Sequence, residues 1–206
     1  MSPAGLRGRG EGGGVLRVDG DKGSPAPGAG SLGMALFLLS LTVLFTGSVV
    51  AFLVIRRDAP YWPPPGAPAI PRLLWLSTVL LVSCSAAVQV ALSSIRRGDQ
   101  KRMMHWLAIT GGIALLFLAC QSVAWAWFFD AATFHRHLYG FTFYMLTGLH
   151  AAHVIGGIVG LIVVMIRAWL GHYSWAHYPG VRNVAVYWHF LDAVWLFLFA
   201  LLIFAG

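Results

Sequence analysis

Charged side chains are scarce in this 206-residue chain, in which 10% of residues are charged and 58% are hydrophobic. A soluble domain of this size does not need so much apolar surface, so the composition predicts an integral membrane protein. Acids are scarcest of all, because Asp192 is the only one in any long apolar segment. A carboxylate at that depth costs about 3 kcal/mol on insertion scales, so we expect Asp192 to face protein and not lipid.

Cysteine and the motifs of soluble enzymes are also nearly absent. Both cysteines, Cys84 and Cys120, fall inside apolar segments, which argues against a disulfide framework. We find no glycine-rich phosphate loop, nucleophile elbow, zinc motif or redox cysteine pair. The net charge of +7 could suggest nucleic acid, but in a membrane protein the distribution of Lys and Arg reports topology instead. We therefore expect no nucleic-acid partner.

Five apolar segments are each long enough to span a bilayer as a helix, which takes roughly 20 residues. The predicted helices cover residues 32–55, 73–95, 103–129, 138–166 and 184–204. The fold class is therefore all-α, an integral membrane bundle of five transmembrane helices within residues 32–206. Residues 1–31 are rich in glycine with scattered charges, which predicts a disordered cytoplasmic tail.

Basic residues set the predicted orientation. With the N-terminus inside, ten Lys and Arg lie on the inner side and four on the outer side, out of 14 in the sequence. This excess predicts a cytoplasmic N-terminus and a periplasmic C-terminus. The outer four are Arg56, Arg57, Arg72 and Arg136.

Histidines and glycines of the fourth helix share one arc of about 80°, at roughly 100° per residue. The arc contains His150, His153, Gly157 and Gly160, and Gly156 completes a Gly-x-x-x-Gly spacing that favours close helix packing. On the fifth helix, the residues Trp188, Asp192, Trp195 and Phe199 form one stripe. The simplest arrangement packs the small face of helix four against helix five, so that His150 or His153 pairs with Asp192.

Two interpretations of these histidines stay open on the residues alone. His150 and His153 could form a metal or haem ligand pair with His189 as a third ligand, or the three could satisfy Asp192 in a structural polar cluster. His189 lies near enough to Asp192 for an i,i+3 hydrogen bond. Aromatic side chains crowd the space that a porphyrin would need, which favours the structural cluster. For Gln121 and Gln89 we expect interhelical hydrogen bonds.

Two long stretches resemble one family. Residues 187–199 (YWHFLDAVWLFLF) are similar to the final-helix motif of subunit III of the haem–copper terminal oxidases, cytochrome c oxidase above all. Residues 143–157 (FYMLTGLHAAHVIGG) resemble the second signature of that family. Residues 62–66 (WPPPG) and the patch from Ser77 to Ser85 are similar too, so the resemblance covers about residues 32–205.

The resemblance implies a short, five-helix bacterial member that is an accessory subunit with no catalytic centre of its own. Haem and copper would sit in partner subunits, namely catalytic subunit I and subunit II, in a bacterial inner membrane. The implied roles are assembly, phospholipid binding and proton uptake of the catalytic subunit, in a complex that transfers electrons to dioxygen and translocates protons. The intramembrane polar positions of the family carry over to His150, His153, His189 and Asp192 as structural or lipid-site residues. We place Trp188, Gln121 and Arg182 in the same polar cluster or lipid cleft.

This chain departs from the family at three positions. Leu41 and Ala124 stand where the family has membrane acids, and Arg182 stands where many members have Glu. Any role of those acids in proton delivery is therefore in doubt here.

Other functions remain possible at this point. The chain could be the same subunit type in a quinol oxidase or a nitric oxide reductase, an independent five-helix transporter, or a haem-binding cytochrome. Against the transporter, the sequence has no inverted repeat and no broken helix.

Overall fold

Five long helices make up the chain in the computed structural model, which describes residues 29–65, 71–130, 138–175 and 177–205. They are α1 (Ala29–Asp58), α2 (Leu73–Arg96), α3 (Gln100–Asp130), α4 (Leu138–Trp169) and α5 (Pro179–Ala205). All five are long and apolar enough to cross a membrane. The fold is therefore an all-α membrane bundle. Residues 1–28 of the expected tail lie outside the described residues, and Ala29 to Ser31, assigned to that tail, are helical.

Local sequence signals explain why several helices run beyond the apolar segments. Helix α3 begins at Gln100 because the Asp99 side chain caps it, with the backbone N–H of Arg102 donating to Asp99 Oδ1 at 2.9 Å. Helix α5 begins at Pro179, since proline is favoured in the first helical turn, where its missing N–H costs nothing.

Two glycines end helices on the same side of the bundle. Gly98 and Gly171 follow α2 and α4 with φ angles of 79° and 76°, a conformation that glycine adopts without steric cost. Each donates its backbone N–H three residues back, to Ile95 O at 2.9 Å and to Ala168 O at 3.0 Å. The next residue donates five residues back in both cases, which completes the Schellman pattern.

Helices α4 and α5 form the centre of the bundle, because α5 packs against α1, α2 and α4, and α4 packs against α1, α3 and α5. Helices α2 and α3 form the most extensive contact, as expected for antiparallel neighbours joined by a tight turn, and α3 also packs on α4. Helix α1 packs only on α4 and α5 among the described helices. The inner face of α5 therefore contacts α4 and α2, while α1 lies along another side of it.

Close packing between α4 and α5 depends on glycine. A Cβ atom at Gly157 would lie 3.1 Å from both Trp188 Cζ2 and Tyr187 Cε1, tighter than ordinary van der Waals contact. A Cβ at Gly160 would lie 3.8 Å from Val184 Cγ2. The small face of α4 thus lies against the N-terminal half of α5, and Tyr187 Oη donates to His153 O at 2.8 Å across the same contact.

Serine and threonine hydroxyls in the spans bond largely to their own helices. Thr42, Ser83 and Ser122, for example, each donate to the carbonyl oxygen four residues earlier, at 2.8–2.9 Å. Since hydrocarbon offers no hydrogen-bond partner, these internal bonds let hydroxyls stand on exposed helix faces.

We predict that Gly157→Leu destabilises the bundle by about 1–3 kcal/mol, the usual cost of overpacking, because the new side chain collides with Trp188. Gly112→Leu is the matched control, since a Cβ there meets nothing within 4 Å. Unfolding of the purified chain in mixed detergent micelles measures both. Equal stability of the two variants would contradict the packing described for Gly157.

Candidate functional site

His150 of α4 sits at the centre of the bundle in an aromatic enclosure. It is completely buried, and its ring centroid lies 5.0 Å from that of Trp195 and 5.9 Å from that of Phe117. Phe45 of α1 adds a third ring at 6.4 Å. Neither ring nitrogen of His150 has a hydrogen-bond partner among the described residues. The enclosure is filled by side chains from four helices and leaves no space for a porphyrin beside the imidazole.

Asp192 is buried with 6% of its surface exposed, but it turns toward α2 and not toward the α4 histidines. Cys84 and Ser85 of α2 are its close neighbours. The Ser85 hydroxyl is engaged elsewhere, 2.5 Å from His189 Nδ1. The carboxyl oxygens of Asp192 make no hydrogen bond to any residue that the structure describes.

The expected pairing of His150 or His153 with Asp192 is therefore wrong. The reason is angular: Asp192 lies about 40° around α5 from Trp188 and about 60° from Trp195, on the side that faces α2. Trp188 contacts Gly157, so α4 meets the tryptophans and not the carboxyl group. His153 Nδ1 instead lies 2.7 Å from Leu149 O, within its own helix.

His189 also differs from the expectation, because its partners lie on α2 and not on α5. Its Nδ1 is 2.5 Å from Ser85 Oγ and its Nε2 is 3.1 Å from Gln89 Oε1. His189 and Gln89 are both exposed on the surface of the bundle. Ser85 was not among the predicted site residues, and the i,i+4 spacing of Ser85 and Gln89 on α2 was the signal that could have identified this trio.

The remaining candidate residues do not form one cluster. Gln121 is 1% exposed, but neither polar atom of its amide has a hydrogen-bond partner among the described residues, contrary to the bond expected for it. Trp188 Nε1 is buried and equally without a described partner. Arg182 is exposed in the first turns of α5, away from the buried groups. The polar residues therefore divide into an enclosed set and an exposed trio.

The two positions at which the resemblance implies membrane acids are apolar and enclosed in this chain. Leu41 is 6% exposed in α1 and Ala124 is 1% exposed in α3. Within residues 29–65, 71–130, 138–175 and 177–205, no three His, Cys, Asp or Glu side chains form a group that could hold a metal ion. His135 and His137 lie outside the described residues. The buried polar groups without a described partner are thus one amide, one imidazole, one indole and one carboxyl, and the last two are both on α5.

We predict that Asp192→Leu leaves the isolated chain as stable as the wild type or more stable, by up to about 1–3 kcal/mol. The substitution removes a buried carboxyl group that has no described hydrogen bond, whose burial is costly. Thr78→Val is the contrasting variant, because it removes the acceptor of the 3.0 Å bond from Trp195 Nε1 and should destabilise. Thermal unfolding in detergent measures both, and a clear loss of stability in Asp192→Leu would contradict the geometry above.

The sequence is similar to those of known proteins of one family. The family model described as "Cytochrome c oxidase subunit III" matches residues 20–206, which include all five helices. A cytochrome c oxidase subunit 3 of a Synechocystis strain is 34% identical over 82% of this chain and 72% of its own length. Subunits of the same name from Pylaiella littoralis and Arabidopsis thaliana are each 37% identical, over 82% and 81% of this chain.

The chain spans 64% and 65% of the length of the last two relatives, so it matches less than two thirds of each. The match still extends across every transmembrane helix described above. Together with the five-helix membrane bundle, it establishes that the chain belongs to the cytochrome c oxidase subunit III family.

Proposed function

We propose that this chain is a non-catalytic accessory subunit of a haem–copper terminal oxidase. The observation that carries the proposal is the family match across all five helices. Its partners would be catalytic subunit I and subunit II, which hold the haem and copper. Electron transfer to dioxygen and proton translocation would then belong to the complex, and this chain would support assembly, lipid binding and proton uptake.

Bundle geometry supports a cytoplasmic N-terminus in a bacterial inner membrane. Two hydrogen bonds join helix ends in pairs: Asn183 Nδ2 of α5 donates to Gly30 O of α1 at 3.4 Å, and Gln100 Nε2 of α3 donates to Ala168 O of α4 at 2.5 Å. The loop between α4 and α5 is short, so both pairs lie at one end of the bundle. The same end of the bundle has six basic residues: Arg96, Arg97, Lys101, Arg102, Arg167 and Arg182. The positive-inside rule assigns this end to the cytoplasm and the C-terminus to the periplasm.

A groove between α1 and α5 supports the lipid-binding role. It has a volume of about 320 Å³ and is lined by apolar side chains and two threonines. The Thr42 hydroxyl is already bonded to Leu38 O at 2.8 Å, so the surface is suited to hydrocarbon. An acyl chain of a phospholipid fits this chemistry. The lining residues are Thr42, Phe45, Thr46, Val49, Val50, Phe190, Ala193, Val194, Phe197 and Leu198.

Support of proton uptake would be indirect in this chain. Leu41 and Ala124 are buried where the family has acids, so neither position can pass a proton. The other acids of the described helices, Asp58 and Asp130, stand at the last residue of α1 and of α3, so Asp192 has no second carboxylate inside a span with which to relay a proton. We therefore propose that the chain acts on proton uptake by holding the catalytic subunit and its lipids in place.

We predict that the tagged chain, purified from its native membrane in mild detergent, recovers a large catalytic subunit together with haem absorption bands. The reason is that an accessory subunit is retained by its complex while the cofactors stay in the partner. The same chain expressed alone is the control and should show no Soret band. A Soret band in the chain alone, or recovery of no catalytic subunit from native membranes, would contradict the proposal.

A second prediction concerns the groove. Thr46→Phe should lower the amount of phospholipid that copurifies with the chain, because the ring occupies the space of an acyl chain. Val43→Phe is the matched control, since Val43 lies on the same helix, is exposed and does not line the groove. Native mass spectrometry measures bound lipid per chain. Equal lipid retention in the two variants would count against binding in this groove.

A further inference from the structure

A hydrogen-bonded trio stands on the outer surface of the bundle, where α2 and α5 meet. Two α2 side chains hydrogen-bond to the imidazole ring of His189 on α5. Ser85 Oγ lies 2.5 Å from Nδ1, and Gln89 Oε1 lies 3.1 Å from Nε2. Gln89 and His189 are exposed, whereas the other polar side chains of the core, such as Asp192 and His150, are buried. The trio therefore presents polar atoms to whatever lies outside α2 and α5.

The depth of the trio makes this exposure unusual. Ser85 and His189 lie at least ten residues from either end of their helices, and Gln89 lies seven residues from the end of α2. At 1.5 Å per residue, His189 lies about 8 Å from the start of the apolar segment 184–204, and Gln89 about 9 Å from the end of the segment 73–95. Both are therefore inside a hydrocarbon layer roughly 30 Å thick, on the side of the α2–α3 turn. Lipid at that depth cannot accept or donate a hydrogen bond.

The hydrogen-bond donors and acceptors of the trio are not all paired with one another. A neutral imidazole has one N–H and one acceptor nitrogen, so Nε2–H donates to Gln89 Oε1 while Nδ1 accepts from the Ser85 hydroxyl. Both nitrogens of His189 are then satisfied. The amide nitrogen of Gln89 keeps two N–H donors with no partner among the described residues. The exposed group that remains is therefore a donor, and it requires an acceptor.

The surface beside the trio is shaped to receive a helix. On α2, Val82 and Ala86 lie seven and three residues before Gln89. On α5, Ala193 and Leu196 lie four and seven residues after His189. All four side chains are exposed. The antiparallel pairing of Gln89 with His189 brings the two alanines to about the same level. Small side chains beside an amide donor leave room for the backbone of a third helix.

We propose that this α2–α5 surface is where the catalytic subunit docks, through a transmembrane helix that places a hydrogen-bond acceptor against the Gln89 amide within the hydrocarbon layer. The acceptor belongs to a Ser, Thr, Asn or Gln side chain or a protonated acid. The inference rests on the proposed function for the existence of that partner. Beyond that function, we specify the face of the chain that the catalytic subunit covers and the hydrogen-bond acceptor that it places there.

Gln89→Met tests the proposal, because methionine keeps the length of the side chain and removes the amide donor. We expect recovery of the catalytic subunit per tagged chain to fall severalfold. Methionine also removes the acceptor of His189 Nε2–H, so the melting temperature of the isolated chain should fall somewhat, and Ser85→Ala is the matched variant because it removes the other hydrogen bond of His189 and keeps the Gln89 amide. Ser122→Leu is the control: it removes an exposed polar group from α3 whose hydroxyl is bonded within its own helix, and recovery should be unchanged. Unchanged recovery with Gln89→Met would overturn the proposal, as would an equal loss of recovery with Ser85→Ala, which would assign the effect to the stability of the trio and not to the amide donor.

Photo-crosslinking identifies the occupant directly. A benzoyl-phenylalanine at Ala86, which is exposed on α2 and does not line the α1–α5 groove, should form an adduct with the catalytic subunit, and one at Val123 on the outer face of α3 serves as the comparison site. Adducts from Ala86 only to lipid or to a second copy of this chain would overturn the docking surface. If adducts to the catalytic subunit form from Val123 and not from Ala86, the proposed function stands and the assignment of the face fails.

Discussion

The contact between Gly157 and Trp188 is the constraint on which the rest of the bundle depends. It brings α4 and α5 so close that a single Cβ atom would be 3.1 Å from the indole. This approach fixes the rotation of α5, which points Trp188 and Trp195 at α4. Trp195 then stacks near His150 and donates to Thr78 of α2, so one helix joins the two sides of the bundle.

The same rotation of α5 determines which neighbours its polar side chains contact. Asp192 lies between the tryptophans and His189, so it turns toward Cys84 and Ser85 and away from the α4 histidines. His189, one turn earlier, emerges at the surface and is held by α2. Helix α5 thus has a buried side that organises the bundle and one exposed polar residue, His189, within the hydrocarbon layer. Such a surface is costly in lipid but suits contact with another membrane protein.

Much of the fold follows from the sequence, since span length and composition predict the five helices and a Gly-x-x-x-Gly spacing predicts the small face of α4. Helix ends are harder to predict, because Asp99 and Pro179 extend α3 and α5 beyond their apolar runs. The partners of the polar residues were predicted incorrectly for a physical reason. Helical spacing gives the angle of Asp192 within α5, but the neighbour it meets depends on how α5 is rotated against α2 and α4 together.

The most direct test of this account is a cryo-electron-microscopy map of the oxidase complex purified through this chain. The account predicts Gly157 packed on Trp188, and the Gln89–His189 surface covered by a helix of the catalytic subunit with an acceptor atom within about 3 Å of the Gln89 amide nitrogen. A map in which that surface contacts only lipid, with the catalytic subunit on another face, would contradict it.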